Sequence, residues 1–290
     1  MSILVTGATG NVGSLVVERL AAAGAEVKAL VRTPGKVTFP KGVTEVAGDL
    51  TDVASIRTAL TSVRTLFLLN AVVADEVTQA LITLNLARDA GIERIVYLSV
   101  IHADLYTNVP HFTGKHTVER MIEDLKMPAT VLRPAYFMQN DRQVKPVVEN
   151  HGIYPMPIGS AGVWMVDARD IADLATVELL ERDRANTPLP QRTIDVVGPE
   201  ALTGESAARI WTEELGREVR YGGNDVEAFE RQMSAFMPSW MAYDMRQMMA
   251  VIQKIGMRPE PGTVEKLQKL LGHPLRTYRN TVREMLNTKS

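Results

Sequence analysis

The chain has 290 residues, a net charge of −2, 46% hydrophobic residues and no cysteine. That length allows one large domain or two smaller ones, and the charge offers no basic footprint for nucleic acid. The absence of thiols excludes disulfides, thiolate metal sites and a cysteine nucleophile, and no apolar run reaches the roughly 18 residues of a membrane span.

Ile3–Val5 is an apolar run too short for a helix and reads as a parallel strand buried on both faces. Gly7, Gly10 and Gly13 follow as G-x-x-G-x-x-G. Such a turn gives a tight bend, close backbone approach to a pyrophosphate, and close packing of the next helix, whose positive end faces the phosphates. A helix is expected from Asn11 to Ala23, stopped by Gly24, and a second strand from Glu26 to Val31. The βαβ unit closes at the length of a dinucleotide-binding fold. At the end of that strand stands Arg32, with Lys36 nearby. An acidic residue there would bind the ribose hydroxyls of NAD, whereas a guanidinium suits a 2′-phosphate, so NADP (NADPH) is expected over NAD.

Strands are then expected at Thr44–Ala47, Thr65–Leu69, Arg94–Ser99 and Ala129–Arg133, with helices at Asp52–Leu60, Glu76–Ala90 and Thr113–Leu125. This alternation predicts an α/β doubly wound parallel sheet of the Rossmann type. After Pro134 the pattern loosens, with Pro146, Pro155 and Pro157 breaking the chain, a helix over Val166–Leu180 and a last strand over Arg192–Val197. A capped helix from Thr203 to Leu215 begins a second, smaller, mostly α-helical C-terminal domain. The expected division is 1–150 as the dinucleotide-binding domain, with 165–200 returning to it, and 151–164 with 201–290 as a substrate or lid domain. Met233–Met257 carries seven methionines and Trp240, which fits an adaptable apolar pocket, a helical core or a dimer face. Two amphipathic helices finish the chain after Pro259–Gly262.

In open parallel sheets ligands lie at the carboxyl ends of the strands. Candidate cofactor-binding residues are therefore Gly7, Thr9, Gly10, Asn11, Val12, Arg32, Lys36, Asp49, Leu50, Leu69, Asn70 and Ala71. Asp49 could accept from the adenine amino group, or the acidic turn could cap a helix, a task Asp52 could also perform. Short-chain dehydrogenases pair a Ser with a Tyr and a Lys four residues beyond that Tyr; the matching positions are Ser99 and Lys115, but His111 stands where the tyrosine would be. His111 could relay a proton or merely cap a helix. The five histidines form no HExxH-type cluster, so no metal site is expected.

These motifs, TGATGNVG (6–13), LVR ending at Arg32, GDL (48–50), HFTGKHTVE (111–119) and LRPAYFMQN (132–140), resemble the NmrA-like branch of the atypical short-chain dehydrogenases/reductases. The resemblance covers about the first 180 residues. It implies pyrophosphate contacts from Gly7 to Val12, a 2′-phosphate contact from Arg32 with Lys36, and a nicotinamide-ribose contact from Lys115. It also places Tyr136, Phe137, Met138 and Gln139 beside the nicotinamide, with Tyr154, Met156 and Trp164 as substrate-wall candidates. The HxxxK pattern is most similar to NADP-sensor-type members. Two functions follow as expectations. One is an NAD(P)H-dependent reductase passing hydride to a quinone-like or other conjugated small acceptor, with Lys115, His111 and Ser99 as the catalytic set. The other is a non-catalytic NADP(H) sensor acting through a protein partner. Partners are expected to be a small-molecule acceptor and a second copy or protein partner, with no nucleic acid and no membrane. The chain enters a strand at once, so no signal peptide is expected and a cytoplasmic setting is.

Overall fold

In the computed structural model, which describes residues 2–288, the chain divides into two compact units. The first comprises Met1–Val100, Gly114–Arg133 and Arg169–Ile194. The second comprises Ile101–Thr113, Pro134–Ala168 and Asp195–Ser290. The units thus interleave at different points from the expected 1–150 boundary, with the chain changing unit at Pro134, the last residue of a sheet strand.

The first unit opens with β1 (Ser2–Val5), α1 (Gly13–Ala22), β2 (Val27–Val31), β3 (Val43–Ala47), α2 (Val53–Ala59) and β4 (Val63–Leu68). It continues through α3 (Glu76–Asp89), β5 (Ile95–Leu98), α4 (Pro110–Asp124) and β6 (Ala129–Pro134). In chain order there follow α5 (Lys145–His151) and β7 (Ile153–Tyr154), which belong to the second unit, and then α6 (Ala168–Arg184) and β8 (Arg192–Val196), which lie largely in the first. Seven strands form one sheet in the order β3-β2-β1-β4-β5-β6-β8. The pairs β3-β2, β2-β1, β1-β4, β4-β5 and β5-β6 are all parallel. Strand order reverses between β1 and β4, so the crevice of a doubly wound sheet opens beside the glycine turn.

Burial explains why these segments fold as they do. β1, β5 and most of β4 are buried along their length, as strands covered by helices on both faces must be. On α1 the buried residues Gly13, Val16, Val17 and Leu20 form one stripe at i, i+3, i+4 and i+7. One core cluster joins Leu4, Leu30, Leu66 and Tyr97 of the strands to Ile56, Leu84, Val118 and Ile122 of the helices. The helices differ from expectation at their ends: α1 starts two residues later, α4 starts at Pro110 rather than Thr113, and α6 runs on to Arg184. Pro146 does not break the chain. It lies in the first turn of α5, where its missing N–H costs no helical bond.

The second unit is mainly helical from Gly204 on: α7 (Gly204–Leu215), α8 (Val226–Met233), α9 (Ser239–Ile255), α10 (Thr263–Leu271) and α11 (Tyr278–Asn287). The strand β9 (Arg220–Tyr221) pairs in parallel with β7, a two-residue ladder too short to leave a sequence pattern. The methionine-rich segment spans the end of α8, all of α9 and Met257. Met248, Met249 and Met257 are buried, while Phe236 is 83% exposed. At the unit's centre Asp141 Oδ2 accepts from Tyr154 Oη at 2.9 Å and from Tyr278 Oη, which itself accepts from Trp211 Nε1 at 2.9 Å. Asp141 Oδ1 is buried with no partner among the described residues.

Burial pushes the Asp141 carboxyl up to about 6, against the lowering effect of the two tyrosine hydrogen bonds. A carboxyl with a raised folded value keeps its proton longer in the native than in the unfolded chain. Its contribution to stability is therefore present in full at about pH 4 and lost as pH rises through about 6, by up to about 3 kcal/mol. The melting temperature of the wild-type chain should fall between pH 4 and 7 more steeply than that of Asp141→Asn. Parallel pH profiles would disprove the assignment.

Candidate functional site

The glycine turn is built by close contacts within the first unit. Thr6, at the end of β1, accepts from Leu69 N and donates to Leu69 O through one hydroxyl, both at 2.8 Å. That stitch locks the carboxyl ends of β1 and β4 together. Gly7 has φ +60°, and a Cβ on it would lie 2.4 Å from Leu69 Cδ2. A Cβ on Gly13 would lie 2.1 Å from Gly7 O. Both glycines are thus required by the fold. Gly10 is different: its imagined Cβ meets only Gly7 O at 3.4 Å, an ordinary contact, and the residue is exposed together with Thr9 and Asn11. Among the described residues no close contact demands glycine there. Val12, buried at the N-cap of α1, supplies no side-chain cap. The first-turn N–H groups of that helix therefore face the crevice without a competing side-chain acceptor.

The neighbouring strand ends carry the other expected residues. Arg32 and Lys36 are exposed after β2. Asp49 is exposed and accepts from Thr51 N at 2.8 Å and from Thr51 Oγ1 at 2.6 Å. These bonds, with a smaller contribution from Arg32, lower its carboxyl. Asp52, not Asp49, caps α2 by accepting from Ala54 N and Ser55 N. Leu50 is half-buried and Ala71 exposed. Asn70 and Ser99 follow the adjacent strands β4 and β5. Both are buried, yet the Asn70 amide nitrogen and oxygen and the Ser99 hydroxyl have no hydrogen-bond partner among the described residues. Buried polar groups are ordinarily paired, so these two side chains are suited to a polar ligand in the same crevice.

Lys115 lies on α4 in the first unit, 8% exposed, and its Nζ donates to Glu76 Oε1 at 2.5 Å. Glu76 opens α3, is 5% exposed, and escaped the sequence reading because an acidic residue in a first helical turn is commonplace. Glu119, one turn beyond Lys115, accepts both arms of Arg133, at 2.9 and 2.6 Å. Tyr97 on β5 is held neutral by burial, reinforced by Glu76 and Glu119.

In the second unit, His111 Nδ1 is bonded to Asp244 Oδ2, and His111 N donates to Asp244 Oδ1 at 3.1 Å. Asp244 lies within methionine-rich α9 and is fully buried. Its signal in sequence is only that of one acidic residue among apolar ones. Tyr136, Met138 and Gln139 are buried and Phe137 half-buried. Val166 N donates to Tyr136 O and Met138 N to Val166 O, both at 2.9 Å, while Gln139 Oε1 accepts from Ala168 N at 2.8 Å. Burial drives the Tyr136 phenol far above its ordinary value. Tyr154 is committed to Asp141, Met156 is buried, and Trp164 carries Arg258 over its ring at 5.7 Å.

The model of the NmrA-like family matches residues 1–282. An NAD(P)H azoreductase of Xenophilus azovorans is 31% identical over 281 residues, covering 95% of each chain. The fold is similar to that of an NADPH-dependent quinone oxidoreductase from Escherichia coli solved with NADPH, at TM-score 0.86 and 25% identity over 98% of this chain and 100% of that one. It is similar too to Citrobacter sp. triphenylmethane reductase complexed with NADP(H), at TM-score 0.84 and 25% identity with the same coverage.

The different demands on the glycines can be read by denaturation. Gly13→Ala should destabilise the chain by about 2 kcal/mol or more, since its Cβ would meet backbone rather than a movable side chain. Gly10→Ala should change unfolding free energy by less than about 0.5 kcal/mol. Equal losses at the two positions would contradict the distinction.

Proposed function

Because the chain belongs to the NmrA-like family, we propose that it is an NAD(P)H-dependent reductase that delivers hydride to a conjugated, electron-poor small molecule such as a quinone or dye. The observation that carries this reading is the crevice at the sheet's reversal point. It combines a glycine the fold does not require, Gly10, with two buried polar side chains lacking partners, Asn70 and Ser99. A dinucleotide fits all of these. Gly7, Thr9, Gly10, Asn11 and Val12 would line its pyrophosphate at the start of α1, the Gly10 N–H itself donating to Gly7 O at 3.0 Å. Arg32 and Lys36 would take the 2′-phosphate and Asp49 with Leu50 the adenine. Leu69, Asn70 and Ala71 would lie along the ribose and phosphates. Lys115 would bond the nicotinamide ribose, its charge balanced by Glu76, and Tyr136 to Gln139 would flank the nicotinamide.

Bound there, the dinucleotide supplies the hydride. A conjugated acceptor spreads the incoming negative charge, so proton transfer need not coincide with hydride transfer. The missing tyrosine is then tolerable. Relatives with the names azoreductase, quinone oxidoreductase and triphenylmethane reductase support this acceptor class. A sensor acting through a protein partner would use the same dinucleotide contacts but would have no need of a proton relay at position 111.

Purified protein with NADPH should reduce at least one member of a panel of quinones, azo dyes and triphenylmethane dyes, followed at the nicotinamide absorbance. Lys115→Ala should lower kcat/KM by about tenfold or more. If NADPH raises the melting temperature but no acceptor is reduced, the reductase reading fails and the sensor reading takes its place. Arg32→Ala should weaken NADPH about tenfold more than NADH, as expected for loss of a charged phosphate contact. Equal losses would refute the 2′-phosphate assignment.

A further inference from the structure

Asp244 grips His111 through two hydrogen bonds. The two residues are 133 positions apart and both belong to the second unit. His111 is the second residue of α4, where a backbone N–H has no partner within the helix. Asp244 Oδ1 accepts that N–H at 3.1 Å, while Oδ2 meets Nδ1 of the same residue. Capping the helix needs only the first bond. The second fixes the rotation of the ring, and because a carboxylate only accepts, it assigns the Nδ1 proton. The imidazole is also walled in: Phe112 meets it edge-on at 4.7 Å between centroids. Tyr106 packs on Phe112 at 4.7 Å and is itself bonded to Gly256 O. The side chain of His111 is 10% exposed and that of Asp244 wholly buried, so Nε2 is the nitrogen left for proton exchange.

We propose that Asp244 is a positioning residue that presents Nε2 of His111 as the proton donor to the reduced acceptor, a role that rests on the reductase reading above. Reduction of a quinone to a hydroquinone adds one hydride, with its two electrons, and one proton. The hydride comes from the dinucleotide. The proton leaves Nε2 of the imidazolium, the Nδ1 proton stays on the Asp244 side, and the neutral ring takes a replacement proton from water. Asp244 itself is not protonated in the cycle.

Asp244→Asn separates positioning from capping. The amide oxygen can still accept the His111 N–H, but its NH2 would face Nδ1 and force the opposite tautomer. In protein labelled with ¹⁵N-histidine, at a pH where the ring is neutral, His111 should carry its proton on Nδ1 in the wild type and on Nε2 in the variant. With NADPH and benzoquinone, Asp244→Asn should lose about ten- to a hundredfold in kcat, with quinone KM and NADPH affinity within about twofold. His111→Gln should lose a similar factor, and the double variant no more than either. A wild-type ring protonated on Nε2, or an Asn variant with unchanged tautomer or unchanged kcat, would overturn the proposal. If the wild type reduces no acceptor, the reductase reading falls and the donor role with it. The imidazole spectrum alone then decides whether Asp244 sets the tautomer.

Discussion

The constraint on which the first unit depends is the approach of α1 to the turn that precedes it. Gly13 sits so close to the carbonyl of Gly7 that no side chain fits between them. Thr6 meanwhile ties that turn to the end of β4. Together these contacts set the angle at which α1 leaves the sheet and hold its N-terminal N–H groups over the point where strand order reverses. The crevice, the exposed backbone around Gly10 and the placement of Asn70 beside it all follow from that geometry.

Much of this was legible in the sequence because it rests on local patterns. The apolar run Ile3–Val5, the glycine spacing and the alternation of strand and helix each act over a few residues, and the tertiary structure keeps them. Pairings between distant side chains were not legible. Glu76 and Lys115 are 39 residues apart, and neither residue has a neighbour in sequence that marks the other. Asp244 is a single acidic position in an amphipathic helix, indistinguishable by composition from a solvated one until the helix is docked. Pro146 shows a subtler limit: a proline ends a helix or begins one according to which turn it occupies, and spacing alone does not say which.

Two buried charged residues, one in each unit, are held differently. In the first, Arg182 is fully buried and satisfied by Thr130 Oγ1 and the carbonyls of Pro128, Leu189 and Pro190, so its role is to fasten loops to strands. In the second, Asp141 receives two hydroxyls on one oxygen and none on the other. A fully paired side chain helps to fix a structure, whereas a half-paired one leaves it sensitive to its surroundings.

The hydrogen bonds that organise the second unit also have long reach along the chain. His111 to Asp244 spans 133 residues, Asp141 to Tyr278 spans 137, and Tyr106 to Gly256 spans 150. Contacts of such separation must overcome a large loop-closure entropy and characteristically form late in folding. During synthesis, the βαβ segments of the first unit can pair as they emerge. The imidazole at position 111 cannot meet its aspartate until α9 has been made. The order of assembly is thereby built in: the glycine turn and its neighbouring strands can form first, and His111 meets Asp244 only when the C-terminal helices arrive.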